Sequence, residues 1–237
     1  MSTSSSKKYK LIGLLFLALY VMIHLGFYKT YFIHFPSFEK FQLLHHVHGF
    51  LMSTWILMLI TQPLLIGYGK VKLHHFVGGL SYVIAPLLVI SLFLITKMSY
   101  NKGVLLSSPR EAIADQALSI AQLFTFSGFY VMAMVYRKNA DRHMRYIIGT
   151  GLLMILPGLN RLLGSFYDTD FNLAVVISSV LTIGIAVVLL IVDIIKKKEA
   201  TPYTLILVVY IGVFLVYELR YSTAYQTLGN FIARTVF

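Results

Sequence analysis

Long apolar runs, each closed by a short polar connector, set the rhythm of this chain. Seven are long enough for a helix to cross a hydrocarbon core, which takes about 20 residues: 11–28, 48–68, 76–96, 114–136, 146–163, 173–195 and 203–217. Membrane barrel strands are about half as long and alternate in polarity. Only helices and closed barrels satisfy their backbone in lipid. The expected fold is therefore all-α, a polytopic membrane protein of seven transmembrane helices forming a single domain over residues 1–237. Within 220–237, Leu228, Phe231, Ile232 and Val236 recur at roughly helical spacing. That tail reads as an interfacial helix or as an extension of the seventh span. Pro63, Pro86 and Pro157 fall inside spans, where neighbouring groups re-satisfy the freed carbonyls.

Composition agrees. The chain is 58% hydrophobic and 12% charged, about half the charge of a soluble domain. The net charge of +11 would suggest nucleic acid on a soluble domain, but no soluble domain is left over, so nucleic-acid binding is set aside. The cations instead report orientation. Counted on alternating sides of the seven spans, twelve Lys and Arg flank one face and eight the other. The short connectors GKVK, RKNADRHMR and KKKEA all fall on the richer side. The positive-inside rule places the N-terminus in the cytoplasm and the C-terminus outside, in a bacterial inner membrane. The apolar run after MSTSSSKKYK shows no small-residue cleavage site and is longer than a typical signal core, so it reads as a retained span. With no cysteine, disulfides, thiolate metal sites, iron–sulfur clusters and c-type haem attachment are excluded.

Polar side chains within spans are costly and are functional candidates by default. In LLHHVHGFLMSTW, three histidines crowd the entry to span two. His48, Met52, Trp55, Leu59 and Gln62 continue from them as one helical stripe. Asp115, Ser119, Gln122 and Phe126 form another on span four, and His143, Tyr146, Thr150, Pro157 and Arg161 a third on span five. Three stripes suit a shared polar interior. One chemistry is a divalent metal held by His24, His48 and Asp115, with His45 or His46 as alternative ligand. Another is haem b between two imidazoles at equal depth, His74 with His143 or His24 with His48. Gln62, Gln122, Asn160, Arg161 and Trp55 would support either. A third reading has no cofactor: the stripes line the cavity of a transporter or sensor, His34, His45 and His46 are interfacial, and Asp141, Arg142, His143 and Arg145 pair with lipid phosphates or another membrane subunit.

HGFLMSTW, GKVKLHHFVGGL and DRHMRYIIGTGLLMILPGLNRL together resemble a group of uncharacterised bacterial multi-pass membrane proteins. Their pattern is H-x-x-L-M-x-x-W, then L-H-R-x-x-G, then H-x-R-L-M and a later Arg. It falls here on His48, Leu51, Met52, Trp55, His74, Gly78, His143, Arg145 and Arg161, and covers spans two to five. An Asp of that pattern is replaced by Gln122. The layout is also distantly similar to b-type transmembrane cytochromes and to membrane proteins assisting oxidase assembly. The resemblance implies a histidine-rich intramembrane site that binds haem b or a metal for redox chemistry or cofactor delivery.

Overall fold

The computed structural model describes residues 3–237, with side chains from Ser6 onward. It is 84% helical with no strand among the described residues, so the all-α expectation holds. Eleven α-helices follow one another. They are α1 (Thr3–Tyr28), α2 (Leu43–Gly67), α3 (Val71–Gly79), α4 (Ser81–Leu106), α5 (Pro109–Asp115) and α6 (Ala117–Val135). Then come α7 (Ala140–Leu152), α8 (Ile155–Tyr167), α9 (Phe171–Ile195), α10 (Thr201–Glu218) and α11 (Thr223–Thr235).

Joined where they run on, they make seven helical segments long and apolar enough to cross a membrane, from Ser6–Tyr28 to Thr201–Glu218. Each matches one expected span. Several begin earlier than hydropathy suggests, because helix starts are set by caps. At α5, Ser108 and Glu111 form a capping box around Pro109, three signals that agree. The fifth segment breaks at Leu153–Met154. Pro157, four residues on, has no N–H to offer the Leu153 carbonyl, so the ladder fails there. Pro63 and Pro86 lie inside continuous helices. The third segment is interrupted instead after the Gly78–Gly79 pair, where helix propensity is lowest.

The chain divides into two compact units. The first takes the chain up to Leu88 together with Ile147–Ser178, and the second takes Val89–Tyr146 with Ser179–Phe237. In the first, α1 packs along both α2 and α8. The α1–α8 crossing is close because glycine faces glycine: a Cβ on Gly26 would overlap the Gly158 carbonyl oxygen. We expect Gly26→Ala to destabilise by about 1–3 kcal/mol through overpacking. Gly128→Ala, with nothing within 4 Å of the added carbon, should be neutral or stabilising. Thermal unfolding in detergent compares them; equal melting temperatures would contradict the close crossing. In the second unit, α6 packs on α10 and α5 on α11.

Candidate functional site

The histidines at the entry to α2 are one starting point. His45 is the third residue of the helix, and its ring accepts from the Gln42 backbone N–H at 3.1 Å. Its work is to cap α2. The His46 Nδ1 lies 2.5 Å from the Tyr31 hydroxyl. Tyr31 in turn centres an aromatic cluster, with Phe41 at 5.0 Å, Phe38 at 5.1 Å and His46 at 5.7 Å between ring centroids. Burial in that cluster pushes the Tyr31 phenol up from its ordinary value. These two imidazoles pin the 29–42 connector to α2.

His48 differs. It stands five residues into α2, about 7.5 Å along the axis at 1.5 Å per residue. Arg161 is near enough to act electrostatically on its ring. Arg161 stands six residues before the end of α8, about 9 Å from it. The ends of α1 and α8 are neighbours, since Lys29, just past α1, donates to the Ser165 carbonyl at 2.6 Å. Arg161 folds back along its own helix. One guanidinium N–H donates to the Pro157 carbonyl at 3.1 Å, and its carbon sits 4.3 Å from the centre of the Phe27 ring. Its guanidinium thus lies over an aromatic floor. No carboxylate among the described residues pairs with it, and its side chain is exposed.

The remaining α2 stripe faces inward. Trp55 is 2% exposed and donates to the Thr150 hydroxyl at 3.3 Å. The Gln62 amide donates to His74 Nδ1 and accepts from the Gly78 N–H at 3.1 Å. Asn160, buried, accepts from Ser178 at 2.6 Å and ties α8 to α9.

The second unit holds a group of ion pairs. Arg145 is 1% exposed, and its Nε donates to Asp193 at 2.5 Å. Asp141 lies 3.5 Å from Arg145 and 3.7 Å from Lys198. Arg145 and Asp141 therefore pair within the protein. Arg142 meets Glu199 in a two-point bond of 2.6 and 2.7 Å. That guanidinium holds Glu199 below the usual carboxylate range. A lowered folded value contributes stability above the unfolded value of about 4.5, and the contribution is lost as pH falls through the folded value. We expect the melting temperature to fall more steeply on acidification below about pH 4.5 in the native chain than in Glu199→Gln. Parallel curves would contradict the pairing.

His143 donates its Nδ1–H to the Ala133 carbonyl at 2.8 Å, and His24 its own to the Tyr20 carbonyl at 2.8 Å. Gln122 is half-buried on α6, whereas Asp115 is exposed and its neighbour Gln116 is buried. The break between α5 and α6 rotates the faces, so the four-residue stripe drawn from Asp115 does not continue as one. Among the described residues, no three His, Asp or Glu side chains gather into a group that would hold a metal ion.

Sequence reading missed two residues. Asp193 was absorbed into a Val/Ile-rich run, although a lone carboxylate there is itself the signal. Phe27 looked like one more aromatic ring.

Fold and site together define an all-helical chain with seven helical segments long and apolar enough to cross a membrane, the fifth of which carries an arginine with no carboxylate partner among the described residues. Comparison with known protein families, with characterised proteins and with solved structures finds no match.

Proposed function

We propose that this is a multi-pass protein of the bacterial cytoplasmic membrane, N-terminus inside, that receives a small anion at Arg161 and His48 as a carrier or sensor. The observation that carries this reading is the arginine turned back onto Pro157 and Phe27 with no carboxylate beside it. A charged guanidinium inside a span is costly and is retained where it pairs. Here an incoming carboxylate or phosphate supplies the partner, in the planar two-point manner that suits arginine. His48, within charge range, contributes a further donor when its ring nitrogen carries a proton. The resemblance of HGFLMSTW and NRL to a multi-pass bacterial pattern falls on the same two residues. The cation excess on three short connectors supports the orientation.

The test is equilibrium binding of acetate, succinate and inorganic phosphate to the purified protein in nanodiscs. Saturable binding of at least one, abolished by competing anion, is the expected result. No saturable binding of any of the three overturns the reading.

A second reading has one observation in its favour. His24 and His143 each donate Nδ1–H to a carbonyl, the orientation that metal-bound imidazoles adopt, with Nε2 as ligand. Haem b would then show as a Soret band that shifts on reduction, and a metal in elemental analysis of the purified protein. His143→Ala should lower either signal. A colourless, metal-free sample removes this reading.

A further inference from the structure

The last helix, α11, presents three surfaces of different chemistry. One is seated on the protein: Gly229 is buried and packs so closely on Ile113 that a Cβ would overlap its side chain. Gln226 donates to the Arg110 carbonyl at 3.1 Å, and Arg110 to the Tyr221 carbonyl at 3.0 Å. At the far end Lys97 donates to the Val236 carbonyl at 3.2 Å. The helix is thus tethered at both ends and in the middle.

Its exposed surface divides in two. Ala224, Leu228 and Phe231, at spacings of four and three, share one flank, and Leu228 and Phe231 are 57% and 64% exposed. Thr223, Thr227, Asn230 and Arg234, again at spacings of four and three, share the other; all are exposed. A helix standing in water would not display the first flank, and one crossing lipid would not display the second. Cations mark both ends: Arg110 and Arg220 near its start, Lys97 and Arg234 near its finish. That arrangement matches the phosphate layer of a bilayer, with apolar chains on one side and water on the other.

We infer that α11 lies flat in the membrane–water interface, with Leu228 and Phe231 in the acyl boundary and Thr227, Asn230 and Arg234 in the headgroup layer. This rests on the reading that the seven apolar segments cross a bilayer. Occupancy by lipid, rather than by a second copy of the chain, is favoured by the polar flank running beside the apolar one along the helix.

The absence of cysteine makes the experiment direct. Leu228→Cys, Phe231→Cys, Thr227→Cys and Asn230→Cys, each in the full chain, are spin-labelled in phospholipid nanodiscs. Val180→Cys, on an exposed apolar site of α9, serves as the embedded reference. Collision with oxygen should exceed collision with a water-soluble nickel chelate several-fold at 228, 231 and 180, and the order should reverse at 227 and 230. Nickel-dominated collisions at 228 and 231, with 180 still oxygen-dominated, overturn the inference alone. Shielding of 228 and 231 from both reagents also overturns it and assigns the flank to a protein partner. Nickel-dominated collisions at 180 as well overturn the membrane-crossing reading with it.

Discussion

Asp193→Ala is expected to destabilise the purified protein by about 3–5 kcal/mol, the cost of stranding one member of a buried ion pair. Arg145 has no way out: it is 1% exposed, and Asp193, at 2.5 Å, is itself 6% exposed. Asp141 remains 3.5 Å from the guanidinium, which places the loss toward the lower end of that range. The pair need not be stabilising in net terms, because burying both charges is expensive. Arg145→Met combined with Asp193→Leu should therefore recover most of what Asp193→Ala loses. Thermal unfolding followed by circular dichroism in detergent measures both. A single variant as stable as the native chain, or a double variant no better than the single, would count against the buried pair.

Arg161→Gln is expected to weaken anion binding about tenfold to a hundredfold. The estimate follows from about 1.5–3 kcal/mol for a hydrogen bond to a charged group at about 1.4 kcal/mol per decade. Arg161→Lys should recover only part of the loss. An ammonium keeps the charge but not the planar fork, and it stacks less well on the Phe27 ring. Stability should change little, since one neutral hydrogen bond to the Pro157 carbonyl and one ring contact with Phe27 are what the substitution removes. Affinity and melting temperature measured on the same samples separate the two roles. A large loss of stability with unchanged affinity would make Arg161 a packing residue.

The seven apolar segments were legible because a twenty-residue run without charge has few other solutions. So was the inward face of α2, since Trp55 and Leu59 are buried as their spacing from His48 implies. Other features were hidden for physical reasons. The role of a histidine depends on what its ring nitrogens touch, and spacing does not carry that. His45, His46 and His74 read alike in the sequence, yet the first caps a helix, the second meets a tyrosine hydroxyl and the third accepts from Gln62. The break at Gln116 follows from no proline or glycine, so the Asp115 stripe was drawn as if the helix were continuous. The division into two compact units leaves no mark on hydropathy.

The most direct test of the anion site is a double-mutant cycle on affinity, using His48→Ala, Arg161→Gln and the pair together. If both residues face one bound anion, their losses overlap, and the double variant binds clearly more tightly than the product of the two single losses. Losses that multiply independently, or no loss from His48→Ala at all, would contradict a shared site.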